Sequence, residues 1–129
     1  MGRRLKAHDP RTRIILADPV GSGLAHWVAH GEVGPDGRYE VEGIGSSRPP
    51  ANLDRSVIDD AVPVTDEESF AMARRLVREG GMLVGGSAGA NLAAAAVVAA
   101  RADLHGPVVS ILCDGWDRYW SKPWMHHWD

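Results

Sequence analysis

The run Met82-Leu83-Val84-Gly85-Gly86-Ser87-Ala88-Gly89-Ala90-Asn91, continued by the alanine-rich stretch Leu92 to Ala100, restricts this chain more than any other segment. Three apolar residues lead into a cluster of small ones, and those lead into a segment almost without polar side chains. That order predicts a strand, a tight turn and a buried helix. Glycines at 85, 86 and 89 admit close backbone approach, while Ser87 stands where the new helix begins and its first N–H groups lack partners. The helix, expected from Ala88 to about Leu104, is so uniformly small and apolar that it has to be packed on most sides, against a sheet.

Three roles suit such a serine. As letters, Gly85-x-Ser87-x-Gly89 is the nucleophile elbow of serine hydrolases, and Asp103 or Asp114 followed by His126 or His127 completes the chain order Ser, Asp, His. Alternatively, the hydroxyl is a hydrogen-bond partner for a cofactor ring at the positive end of a helix. The third role is structural, an N-cap in a glycine turn.

The rest of the chain reads as α/β. Gly2 to His8 resembles the tail of a helix that stops at Asp9-Pro10. Arg13 to Pro19 is a short buried strand, and Asp18 at its end either meets a ligand or forms a turn. Gly21-Ser22-Gly23 lacks the third glycine of a dinucleotide fingerprint, and no convincing helix pattern follows it. His30 to Pro50 is long and irregular, which marks functional or mobile chain. Ile58 to Val64 holds a further extended segment. Thr65-Asp66-Glu67-Glu68 is a capping box for a helix whose apolar stripe is Phe70, Ala73, Leu76 and Val77, ended by Gly80-Gly81. Pro107 to Leu112 is expected as a third buried strand, giving strand, helix and parallel strand through a right-handed crossover. Ser87 and the Cys113-Asp114-Gly115 turn then both fall at carboxyl ends of strands, where ligands bind in such sheets. Four of the five tryptophans lie between Trp116 and Asp129, dense enough to cover a core edge or an oligomer contact.

Composition narrows the partners. A chain of 129 residues holds one core at most, and a formal charge of −3 leaves no large cationic surface for nucleic acid. No apolar run reaches the roughly 20 residues of a membrane span. The arginines at the amino terminus precede no apolar region, so no signal peptide is read there and a cytoplasmic location is expected. One cysteine, Cys113, excludes an internal disulfide, and its surroundings, like those of His126-His127, show no metal-ligand spacing. No metal is expected.

Taken together, Tyr39-Glu40-Val41-Glu42-Gly43-Ile44-Gly45, Gly85-Gly86-Ser87-Ala88-Gly89 and Ile111-Leu112-Cys113-Asp114-Gly115 with Arg118-Tyr119 resemble, in order, blocks of cystathionine β-synthase and cysteine synthase. Asp18-Pro19 with Gly21-Ser22, and Leu53-Asp54-Arg55 with Ile58-Asp59, fall in the same order. The resemblance implies a pyridoxal-phosphate enzyme with the tryptophan synthase β-like fold, a three-layer parallel-sheet α/β domain that is incomplete here. Residues 1–129 would be the carboxy-terminal part of the catalytic domain. It implies β-replacement on serine or an activated serine to make cysteine or cystathionine, in a complete enzyme that is a homodimer. By the same resemblance Ser87 hydrogen-bonds the pyridine nitrogen, Gly43, Ile44 and Gly45 border cofactor and amino-acid substrate, Gly86 belongs to the serine's turn, and Asp114 lies close by. The family's cofactor-binding lysine, its ring-contacting asparagine and its phosphate loop have no counterpart. Lys6 and Lys122 are the only lysines, and neither stands in the required context. The chain alone is therefore expected to carry no catalytic residue and to be inactive, a serine hydrolase and a non-catalytic interaction piece being the alternatives.

Overall fold

In a computed structural model that describes residues 1–126, the elements follow in the order α1 (Gly2–His8), β1 (Ile15–Pro19), α2 (Leu24–His30), β2 (Asp60–Val64), α3 (Asp66–Gly80) and α4 (Gly86–Ala99). Short 3-10 turns occupy Arg55–Val57, Trp116–Tyr119 and Pro123–Met125. Strands β1 and β2 pair in parallel, with Ile15 opposite Asp60 and Pro19 opposite Val64. Pro63 cannot donate to a ladder, as suits a strand with a free edge. No helix among the described residues is long and apolar enough to cross a membrane.

Helix α3 forms as its capping box requires. Thr65 Oγ1 accepts from the Glu68 N–H (3.2 Å) and Glu68 Oε2 accepts from the Thr65 N–H (2.8 Å), while Gly81 closes the helix at φ 63°. Phe70 and Ala73 are buried, with Leu76 and Val77 half-buried beside them. Helix α4 lies between α3 and the strands: Ala94 and Val98 pack on Val62 and Val64 in one cluster, and Ala88 packs on Ala73 and Val84 in another. Small side chains are needed because the two helices nearly touch. A Cβ at Gly89 would run into the Ser69 carbonyl oxygen. The aromatic tail covers an edge of this core, Trp124 stacking on Phe70 at 4.6 Å and 7°. Trp128 and His127 lie outside the described residues.

Four expectations need correction. Helix α2 has no counterpart in the sequence pattern, because its cap is remote: Asp18, at the end of β1, accepts from the Ala25 N–H (2.7 Å) through Oδ2. Helix α4 starts two residues before Ala88 and stops at Ala99, where Arg101 turns away to Asp60 (2.6 Å). Met82 to Val84 is not a strand; Val84 makes a single antiparallel bridge to Gly115, and Leu83 is 48% exposed. Pro107 to Leu112 is neither paired nor buried, with Val109 84% exposed. The expected strand–helix–strand unit around α4 is thus not formed among the described residues, and the parallel pair is β1 with β2 instead. A strand needs a neighbouring edge, and none of the described segments offers one to residues 107–112.

Candidate functional site

The turn before α4 is clamped to the turn that carries Asp114. The Gly85 N–H donates to the Asp114 carbonyl (3.0 Å), and the Trp116 N–H donates to the Leu83 carbonyl (3.3 Å). A Cβ at Gly85 would overlap the Tyr119 ring and lie 2.7 Å from Asp114 Oδ1, so the approach requires glycine. The Tyr119 hydroxyl donates to Asp114 Oδ2 (2.9 Å). Burial, then the Asp114 hydrogen bond and charge, push the Tyr119 phenol up to about 12. Asp114 Oδ1 is buried and has no hydrogen-bond partner among the described residues.

Ser87 is 4% exposed in the first turn of α4. The amides of Gly86, Ser87 and Ala88 precede the first bond of the helix, from the Gly89 N–H to the Gly85 carbonyl (3.3 Å), and helix termini leave such groups free for a ligand. The Ser87 hydroxyl makes no hydrogen bond among the described residues. Gly86 faces Phe70 and Val41: a Cβ there would sit 2.9 Å from Phe70 Cε1 and 3.7 Å from Val41 Cγ1.

Val41 brings the third block to the same place. It packs with Phe70 and Ala90, and Ile44 lies on that cluster. Asp66, the first residue of α3, holds the segment by accepting from the Glu40 N–H (2.9 Å) and the Val41 N–H (3.0 Å). Gly45 (φ 78°) turns tightly against Pro19 and the Tyr39 hydroxyl. Ser46 is latched by Ser22, whose Oγ accepts from the Ser46 N–H and donates to the Ser46 carbonyl, both at 3.0 Å. Gly43 (φ 79°) faces open space. The structure therefore brings Ile44 and Gly86 to one cluster, with Ser87 next in the chain after Gly86, and ties Asp114 to the same turn through Gly85. Sequence reasoning missed the Asp66 clamp, the Ser22 latch and the Tyr119–Asp114 bond. All three join residues from different elements, which spacing does not reveal.

A hydrolase triad is not assembled among the described residues. Asp103 pairs with Arg13 (3.1 Å), Asp114 is bonded to Tyr119, and His126 Nε2 lies 2.7 Å from the Trp120 carbonyl oxygen. His127, the other candidate, lies outside the described residues. Among those residues no group of three or more His, Cys, Asp and Glu could hold a metal ion. Both lysines are engaged, Lys6 with Asp59 (2.6 Å) and the Thr12 carbonyl (3.0 Å), and Lys122 with Glu42.

Residues 1–114 match the family described as pyridoxal-phosphate dependent enzyme. The chain belongs to that family. Among members of this pyridoxal-phosphate family, cysteine synthase 2 of Neurospora crassa is 41% identical over 128 residues, covering 89% of this chain and 28% of its own length. Cystathionine beta-synthase of Apis mellifera is 43% identical over 129 residues, covering 99% of this chain and 25% of its own. The solved O-acetylserine dependent cystathionine beta-synthase from Helicobacter pylori superposes with a TM-score of 0.79 at 39% identity, over 94% of this chain and 37% of that one. The chain thus spans between a quarter and two fifths of these relatives, and its fold is part of the α/β pyridoxal-phosphate domain they share.

Proposed function

We propose that this chain is the carboxy-terminal part of the catalytic domain of a β-replacement enzyme that makes cysteine or cystathionine from serine or an activated serine, and that its Ser87 turn is one wall of the pyridoxal-phosphate site. The observation that carries this is the Ser87 hydroxyl, nearly buried and without a hydrogen-bond partner among the described residues, beside three helix-terminal amides. Such a group suits the ring nitrogen of pyridoxal phosphate. The positive end of α4 disfavours a protonated nitrogen, so a neutral hydroxyl donating to an unprotonated one fits better than a carboxylate would. When bound, the cofactor supplies the electron withdrawal that lets an amino acid exchange its β-substituent. Gly43, Ile44 and Gly45 border cofactor and substrate, and Ser22 and Asp66 fix that border. Asp114 and Tyr119 hold the Gly85–Ser87 turn in place.

With both lysines held in ion pairs, the amine that anchors the cofactor comes from outside these residues, and the isolated chain is inactive. The net charge of −3 gives nucleic acid no cationic surface, and the complete enzyme is a cytoplasmic homodimer. The test is to incubate the chain with pyridoxal phosphate, reduce with borohydride and map labelled lysines. No stoichiometric label at Lys6 or Lys122, and no cysteine or cystathionine, is the expected result. Stoichiometric label with product formation would overturn the inactivity. A fluorophosphonate probe should leave Ser87 unmodified, whereas phosphonylation there, with loss of fluoride, would restore the hydrolase.

A further inference from the structure

Helix α2 carries a side-chain pair that the cofactor site does not use. His26 and His30 stand four residues apart, hence on one face of the helix, and both are exposed. Their rings stack with centroids 4.1 Å apart and planes inclined by 29°. His30 Nδ1 lies 3.1 Å from the His26 carbonyl oxygen, which can only accept, so this contact puts the proton on Nδ1 and, in a neutral ring, leaves Nε2 with a free lone pair. Neither ring nitrogen of His26 has a hydrogen-bond partner among the described residues. Gly34 backs that side chain: a Cβ there would lie 2.6 Å from His26 Cβ and 3.5 Å from its Cδ2. Two imidazoles are therefore held side by side with ring nitrogens uncommitted. A tetrahedral metal with bonds of about 2.1 Å to nitrogen brings two such donors to about 3.4 Å from each other, close to the spacing of stacked rings.

We propose that His26 and His30 form a two-histidine site for a divalent transition metal of the zinc, copper or nickel kind, and that the bound ion clips α2 shut. Histidines one helical turn apart chelate such ions, and imidazole suits them better than magnesium or calcium, which take oxygen donors. No third His, Cys, Asp or Glu joins the pair among the described residues, so water fills the remaining positions. The helix is one that a clip can affect. Its seven residues fall well short of the roughly 12–15 at which a helix becomes marginally stable by itself. Its N-cap, Gly23, makes no side-chain bond, and both ends lean on other segments: Asp18 accepts from the Ala25 N–H, and Arg55 donates to the Trp27 carbonyl (3.0 Å) and the Val28 carbonyl (2.8 Å). An ion that needs both rings on one face binds the helical form and not the frayed one, so occupancy stabilises the helix.

The probe is zinc chloride titrated into the full chain just above neutral pH, followed by calorimetry and by the imidazole nitrogen resonances. Binding that shifts the ring nitrogens of His26 and His30 is expected. His26→Gln and His30→Gln should each weaken it at least tenfold without changing the circular dichroism of the metal-free chain. His105→Gln and Cys113→Ser, at exposed positions elsewhere, should leave it intact. Exchange of the Trp27 and Gly31 amides, which donate to the Gly23 and Trp27 carbonyls, should slow at least tenfold when zinc saturates the parent chain, and His30→Gln should abolish that slowing. Zinc binding indifferent to both glutamine substitutions, magnesium bound as tightly as zinc, or bound zinc that slows neither amide would overturn the proposal.

Discussion

Replacing Gly89 by alanine tests the helix contact on which the position of Ser87 depends. By propensity alone the change should help, because alanine is about 1 kcal/mol better than glycine inside a helix. The structure reverses the sign. A methyl at 89 would overlap the Ser69 carbonyl oxygen and lie 2.9 Å from the Ala73 nitrogen and 3.0 Å from the Ala73 Cβ. Two of these three atoms are backbone of α3, so no rotamer change relieves the overlap and the helices have to separate. Overpacking costs about 1–3 kcal/mol, and an overlap with two backbone atoms belongs in the upper part of that range, about 2–3 kcal/mol, so it outweighs the propensity gain of about 1 kcal/mol and leaves a net loss of about 1–2 kcal/mol. Urea unfolding followed by circular dichroism measures it, and thermal melting should show a midpoint lower by about 3–10 °C for a chain of this size. Ala96→Gly, on the exposed side of α4, is the comparison, expected to lose about 1 kcal/mol through propensity only. A Gly89→Ala chain as stable as the parent, or more so, would refute the close α3–α4 packing and with it the placement of the Ser87 turn.

Thr65→Ala should cost about 1 kcal/mol in urea unfolding by removing the α3 cap. Glu68 is held below the usual carboxylate range by the Thr65 backbone N–H and then its hydroxyl; its stabilisation is present above that range and lost as pH falls through the lowered value, so Glu68→Gln should flatten the acid limb of the stability curve. Burial acts to raise the Asp59 carboxyl, but the Lys6 hydrogen bond, the Ile14 N–H and the Lys6 charge together hold it low, so Lys6→Met should raise its titration in carboxyl-resolved NMR. Tyr119, pushed up to about 12, adds stability that persists below its unfolded value near 10 and is lost as pH rises through 12. Ultraviolet titration should therefore show a late tyrosinate step that Tyr119→Phe removes; two tyrosines ionising together near 10 would contradict the buried Asp114 bond.

What was legible in the sequence was what is specified locally. The α3 cap needs only Thr65 and Glu68, three residues apart, and the stripe from Phe70 to Val77 repeats within one helix. The Ser87 turn was legible for the same reason, its three glycines falling within five residues and being required by Tyr119, Asp114, Phe70 and Ser69. Helix α2 was not, because Leu24 to His30 is capped by a carboxylate from β1 and its own N-cap, Gly23, makes no side-chain bond. The site's supporting contacts share that character: Ser22 with Ser46, Asp66 with Val41 and Asp114 with Gly85 each join separate segments.

The strands expected at Met82–Val84 and Pro107–Leu112 failed for a different reason, and the failure is informative. Both are apolar runs with residues suited to a pleated, half-buried surface, yet Leu83, Val109 and Ile111 are exposed. Uncovering such side chains forgoes about 25 cal/mol for every Å² of apolar surface left in water, a cost that strands of this composition normally avoid by lying between two layers. The bonds that locate the segment lie at its carboxyl end, from Asn91 to the Ile111 carbonyl and from Gly85 to the Asp114 carbonyl. Residues 108–112 thus have the composition of a sheet's interior and the environment of its edge. The bonds just beyond its carboxyl end, Gly85 to Asp114 and Trp116 to Leu83, are those that fix the Ser87 turn.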